Sequence, residues 1–413
     1  MGNTLSSKLF FIYPQKSIFR DPYVEDPTEM QPTVATVSTH TMGESLHGYL
    51  LMKIHPQIQN HIWSKIIIKG LHTRTGLAEI ASIEKVDKPF NWQRPTATVL
   101  SPGVLQLNVW PGVDYVEHYA NIIATHLSLQ GRDPSVVQVI MPTPKECMEP
   151  LLTSNLAKMG PADVVIIGYV DGLTGFTGSG VWEYGDKHDE LFAWQKKKMS
   201  NGLTVAFLGC RICFWGDSGG NVVRALQALN GVKCVFYVGK LGALKPDILP
   251  NLSIATGNQS FLRNKIVTWE NPLEKYVKGY ERVRLGVHYS LPSVLDETNA
   301  WRDKNGEKFD WVDPEIGHMA DASVEGGTMY GFLHIVSDNL AKKYAHDLSN
   351  ERVKKVRENR RLLLDDIESI LGKFFEGFAK DLKPGVQVEK RPMVIERAIE
   401  TVAEELQYVR GQA

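Results

Sequence analysis

Short apolar runs rich in β-branched residues punctuate the middle of the chain, each closed by a polar or glycine-rich step. Asp163–Gly168, Leu203–Leu208 and Val232–Val238 are the clearest. Runs of this kind suit strands buried on both faces, with helices between them. Val222–Leu229 reads as one such helix, and the alternation predicts a three-layer α/β domain. Upstream, Lys65–Lys69 and Val137–Met141 read as strands and Val116–Leu129 as a helix. Downstream, Val353, Val356, Leu363, Ile367, Ile370, Leu371 and Phe374 mostly keep helical spacing as far as Phe378, with Ser349-Asn350 as the cap. Lys383-Pro384-Gly385 breaks that pattern before a last amphipathic segment, Pro392–Gln407. The organisation expected is an irregular, Pro-rich arm over residues 1–35, then an α/β extension of unknown role over 36–160. A main domain over 161–380 and a helical tail over 381–413 complete it.

Composition narrows the function classes. With 413 residues, 43% of them hydrophobic, the chain is large enough for one big domain and a smaller one. Its 46 basic and 47 acidic residues leave no excess of positive charge to track phosphates, so a nucleic-acid partner is not expected. The four cysteines are scattered through apolar runs, which points to a reducing, cytoplasmic setting. Cys210 and Cys213 have redox spacing but sit in a strand, and no second pair exists for zinc, so no metal is expected. No apolar run reaches the roughly 18 residues of a membrane span. Met1-Gly2-Asn3-Thr4-Leu5-Ser6 fits the N-myristoylation pattern at Gly2, and one acyl chain there would give weak membrane association.

Four stretches carry candidate chemistry. Cys213–Asn221 lies at a strand-to-helix turn, where glycines let backbone N–H groups approach an anion or a hydroxyl. A tight turn accounts for the same letters. Gly239-Lys240-Leu241-Gly242-Ala243-Leu244-Lys245-Pro246-Asp247 reads as a glycine turn after a buried strand, with a second apolar strand ending at Ala255-Thr256-Gly257. Val324-Glu325-Gly326-Gly327 sets a carboxylate among small residues, and an ionised carboxylate, acceptor-only, suits a diol. A surface Glu would look alike. Val336-Ser337-Asp338-Asn339 places an Asp at a strand end, where it could also cap a helix.

In this order the four stretches resemble the nucleoside phosphorylase/nucleosidase superfamily over about residues 161–378. The resemblance implies that family's fold: a three-layer α/β domain with a central mixed sheet, here with an N-terminal α/β extension and C-terminal helices. It implies cleavage of the N-glycosidic bond of a purine-type nucleoside or nucleotide, by hydrolysis or phosphorolysis. Asp338 would then be the general acid at the purine N7 and Glu325 would hold the ribose. Gly216, Ser218, Asn221, Gly239 and Gly242 would line the sugar and phosphate side, with His288, Tyr289 and Trp301 as candidate base contacts. No cofactor is implied beyond phosphate as a co-substrate, and a homo-oligomer is expected by analogy.

The departures from the pattern are specific. Ser218 stands where a second glycine is usual, and Asp217 would repel a phosphate if it pointed inward. Tyr237 stands where an arginine commonly holds phosphate, leaving Lys240, Arg211 or Arg263 to compensate, and Val324 replaces a methionine. Together they favour water over phosphate as nucleophile. The rival expectation is a nucleoside-binding sensor or membrane-tethered module that keeps the fold without turnover.

Overall fold

The computed structural model describes residues 30–72, 89–187, 189–345 and 353–381; Gly2, the Ser349-Asn350 cap and the Pro392–Gln407 segment lie outside these. In chain order the elements begin with α1 (Ser45–Lys53), α2 (Pro56–Asn60), β1 (Lys65–Gly70), β2 (Thr96–Ser101), β3 (Val104–Val109), α3 (Val113–Leu129), β4 (Val137–Ile140) and α4 (Pro144–Leu152). Next come β5 (Val164–Gly168), α5 (Thr174–Thr177), β6 (Phe192–Lys198), β7 (Thr204–Cys210), α6 (Asp217–Asn230) and β8 (Cys234–Ala243). The short strands β9 (Ile254–Thr256), β10 (Gln259–Leu262), β11 (Lys265–Thr268), β12 (Val283–Leu285) and β13 (His288–Ser290) follow. Last are α7 (Asn299–Asn305), β14 (Trp311–Asp313), α8 (Ile316–Glu325), β15 (Met329–Asn339) and α9 (Lys354–Asp381).

Among the described residues two sheets form. The smaller has the order β2-β3-β1-β4, with β1 parallel to both β3 and β4. The larger is mixed, with eleven strands, and centres on β8, which runs parallel to β5 and β15 and meets β14 antiparallel. The three-layer α/β architecture with a central mixed sheet is present.

Alternation along the central strands divides their side chains between two layers. Val165, Ile167, Ala206, Leu208, Val235 and Tyr237 join a core that also holds residues of α3, α6, α8 and the smaller sheet. Ile166, Phe207, Phe236, Val238, Leu333 and Ile335 pack instead with Ile367, Ile370, Leu371 and Phe374 of α9. The first core is continuous from Leu46 and Ile66 through Ile123 to Val223 and Tyr237, so the N-terminal layer shares its interior with the main sheet.

One sequence expectation needs correction. The stretch Gly239–Gly242 is not a turn but the second half of β8, because β15 pairs along it as far as Ala243. Its glycines answer to packing: a Cβ at Gly239 would lie 2.7 Å from His334 Nε2, and one at Gly242 2.7 Å from Leu340 Cδ1. Ser337-Asp338-Asn339 is a strand end as expected, closing β15 past a bulge between Val336 and Asp338.

Phe374 is almost wholly buried and meets the edge of Phe236 at 4.7 Å. Phe374→Ala is expected to cost about 3–5 kcal/mol of unfolding free energy, as cavity-forming changes of this size do. Denaturant unfolding checks it.

Candidate functional site

The strand-to-helix turn after β7 is built around a head-to-head meeting of two helices. The first turns of α3 and α6 face each other, and each takes a carboxylate from the other. Asp217 of α6 accepts from the backbone N–H groups of Val113 and Asp114 at 3.0 and 3.1 Å. Asp114 of α3 in turn accepts from the Asp217 N–H at 3.2 Å. Helix N-termini carry partial positive charge and unpaired N–H groups, and a carboxylate answers both. Arg263 Nη2 and His318 Nε2 each approach Asp114 to 2.6 Å. Gly216 enters this corner at φ +53°, with room for nothing larger, since a Cβ would lie 2.4 Å from Asp114.

The two carboxyls titrate apart. Burial pushes Asp114 up, but Arg263 and His318 outweigh it and hold the group well below the usual carboxylate range. Burial, then the neighbouring Asp114 charge, raises Asp217. Beside them His118 of α3 stacks on Trp215 with ring centres 4.0 Å apart, and its Nδ1 lies 2.8 Å from Ser293 Oγ.

A second buried group adjoins the first through Gly216. The Gly216 N–H donates to Glu315 Oε1 and the Tyr237 hydroxyl to Glu315 Oε2, both at 3.3 Å. Glu315 is the N-cap residue of α8 and only 5% exposed. Two residues earlier, Asp313 Oδ1 accepts from the N–H groups of Glu315 and Ile316 at 2.9 Å. It also lies 3.0 Å from His288 Nε2, while Asp313 Oδ2 is 3.5 Å from His334 Nε2. Burial raises Asp313, yet His288 and His334 outweigh it and the net is well below normal. Glu315 goes the other way, raised by burial and then by the Asp313 charge; burial lowers His334. Carboxyls whose environments push them apart are the usual basis of acid and base roles.

Ser260 Oγ, 2.8 Å from His288 Nδ1, gives the order Ser-His-Asp with Asp313. It is no nucleophile. Ser260 and His288 are fully buried, and a Cβ at Gly317 would already lie 2.7 Å from the Ser260 hydroxyl.

The residues singled out in the sequence fall into two groups. Gly216 and Gly239 border the Glu315 cluster, and Ser218 and Asn221 sit on the first turns of α6. Asp338 and Gly242 lie further along: Gly242 of β8 stands opposite Asp338 of β15 on one side and opposite Val312 of β14, three residues before Glu315, on the other. Asp338 accepts from Ser337 Oγ at 2.7 Å, with Glu297 and Arg360 within electrostatic reach. Tyr289 and Trp301 gather near that end, edge to face at 5.2 Å, in a cluster with Leu340 and Val312. A cleft of about 270 Å³ opens there, lined in part by His40, Arg302, Asn339 and Leu340.

Two of the singled-out residues lie away from the Gly216 loop or in the interior. Glu325 ends α8 with its side chain 47% exposed, ion-paired to Arg224 at 3.0 Å, which in turn reaches Asn221. The carboxylate that meets the Gly216 loop is Glu315, at the opposite end of the same helix. His288 offers no free face to a base, since it is fully buried, with Nδ1 on Ser260 Oγ and Nε2 facing Asp313. Of the cations proposed to replace the missing arginine, Arg263 reaches the loop; Arg211 is spent on the carbonyls of Tyr184, Gly185, Lys187 and Glu190. Among the described residues no group of three or more His, Cys, Asp or Glu side chains could hold a metal, and no helix is long and apolar enough to cross a membrane.

No protein-family model matches the chain. It is similar to Oxidoreductase cns1 of Cordyceps militaris, 24% identical over 327 residues, covering 70% of this chain and 41% of that protein. The chain thus spans about two fifths of that relative's length. Among solved structures it overlaps uridine phosphorylase from Vibrio fischeri at a TM-score of 0.42 and 14% identity, over 52% of this chain and 93% of the other. It overlaps the 5'-methylthioadenosine/S-adenosyl homocysteine nucleosidase of Campylobacter jejuni at 0.40 and 11%, over 52% and 99%. Overlap this limited says nothing about chemistry.

Two outcomes are expected. Glu325→Gln, which breaks a partly exposed ion pair, should change stability by no more than about 1 kcal/mol. Burial lowers His118 from 6.5 to about 3, so the folded state holds it neutral. Its contribution is therefore present above about pH 6.5 and is lost on acidification from there toward about pH 3. Denaturant unfolding across that range should show this limb in the wild type and lose it in His118→Gln.

Proposed function

We propose that this chain cleaves the N-glycosidic bond of a purine-type nucleoside or nucleotide by hydrolysis. The observation that supports the reading most is the buried Glu315 carboxyl, held against the Gly216 N–H and the Tyr237 hydroxyl beside the carboxyl end of β7. In open α/β sheets ligands bind outside the carboxyl ends of parallel strands. Glu315, rather than Glu325, takes the role of holding the ribose hydroxyls.

Asp338 is the proton donor in this reading. The bond from C1′ to the base breaks through an oxocarbenium-like sugar while the base takes a proton at N7 from Asp338. Water adds to C1′, and its proton returns to the Asp338 carboxylate, which closes the cycle. The Tyr289–Trp301 aromatic group beside Leu340 supplies an apolar wall for the base.

A second reading is a nucleoside-binding module without turnover. It draws on the filled α6 N-terminus, where Asp114 stands in the loop that would otherwise meet the substrate.

Incubating the purified chain with a panel of nucleosides and nucleotides, with and without phosphate, decides between them. Free base, followed by chromatography, is expected without phosphate, and Asp338→Asn should lower kcat by roughly 10²–10⁴-fold. Binding that persists with no base released would establish the module instead. Release that strictly requires phosphate would replace hydrolysis by phosphorolysis.

A further inference from the structure

The corner where α3 and α6 meet has the donor set of an oxyanion site. Its elements are the N-terminus of α6, the Arg263 guanidinium from the turn between β10 and β11, and the His318 ring nitrogen from α8. Backbone N–H groups at a helix start, with an arginine alongside, are a standard environment for phosphate. The group found there is the carboxylate of Asp114, brought in by α3 from 103 residues away.

Two further features show that the corner is shaped for an anion. Gly216 has no Cβ just where one would lie within 2.5 Å of the Asp114 carboxylate, so the loop is moulded round that group. Ser218, on the first turn of α6, is fully buried, and its hydroxyl has no hydrogen-bond partner among the described residues. That hydroxyl points at the α3 N-cap, 2.5 Å from where a Cβ of Gly112 would be. It is a donor in place and unused.

We propose that Asp114 is a resident anion filling an oxyanion-binding corner, and that the wild-type chain thereby excludes inorganic phosphate from it. This deepens the glycosidic reading by leaving water as the nucleophile and rests on it for that consequence. The closing of the corner itself is a matter of binding, so its test reads no turnover and fails separately.

Melting of the full chain, wild type and Asp114→Ala, is compared in phosphate and in chloride of equal ionic strength. In chloride the variant should melt lower, because Arg263 loses its counter-charge. Phosphate at about 10 mM should raise the variant's midpoint by several degrees, by mass action on a site of the folded state, and leave the wild type unmoved. Adding Arg263→Gln to the variant should remove the rise. Equal responses in wild type and variant, or none in the variant, would overturn the proposal. If Asp114→Ala does not fold in chloride, recovery of soluble protein on refolding in phosphate takes the place of the melting shift. Asp114→Asn, which keeps the corner filled without the charge, should show no shift, and a shift equal to that of Asp114→Ala would overturn the proposal. A wild type that binds phosphate by calorimetric titration, with the heat lost in Arg263→Gln, also overturns it. Ribose 5-phosphate in a parallel arm separates free phosphate from a phosphate ester: a response to inorganic phosphate, alone or with the ester, supports the proposal, and a response to the ester alone overturns it.

Discussion

The exchange of carboxylates between α3 and α6 is the constraint on which the rest of this structure turns. Two helix N-termini set against each other should repel, since both carry partial positive charge. Asp114 and Asp217 convert that repulsion into three hydrogen bonds, each carboxylate capping the other's helix. Once the two helices are joined, the smaller sheet is fixed over the larger one and their apolar residues form a single core. The close approach also dictates the glycines, because Cβ atoms at Gly112 or Gly216 would sit on Ser218 or Asp114.

The same corner sets the electrostatics of its neighbour. Taking several ionisable groups out of water is costly unless each finds a counter-charge or gives up its own. Asp114 keeps its charge because Arg263 and His318 face it, and Asp313 because of His288 and His334. Glu315 is raised by burial and then by the charged Asp313 two residues away, so it favours its proton. One helix start thus presents an anionic carboxylate and a protonation-prone carboxyl side by side. Tyr237 bridges from the sheet to the second of these, in the position where the sequence comparison looked for an arginine.

How much of this was legible depends on whether the signal was local. Strands β5, β7 and the first half of β8 could be read because burial on both faces leaves an uninterrupted apolar run. The continuation of β8 could not, since Gly239 and Gly242 look like turn residues until His334 and Leu340 of the neighbouring strand are placed against them. The carboxyl that meets the Gly216 loop, Glu315, was passed over for a related reason. Both Glu325 and Glu315 stand close to glycines at an end of α8, and the letters around Glu325 are the more familiar. Asp313-Pro314-Glu315 just ahead of an apolar-periodic run was a helix-start signal that could have directed attention to Glu315. Asp114 carried no such signal; it reads as an acidic residue in a helix's first turn.

The sequence by itself determined the α/β class, the positions of the central strands, the long C-terminal helix and the loop at Gly216, because each rests on periodicity or on backbone freedom within a few residues. Only the tertiary structure decided which carboxylates share a site, that His288 is interior, and that the α6 N-terminus is already occupied. Those outcomes rest on contacts between residues far apart in the chain, such as Asp114 with Asp217 and Gly216 with Glu315 (|i−j| of 103 and 99). Charges that close in a low-dielectric interior must find partners wherever folding brings them, and no local pattern in the chain records which partner that will be.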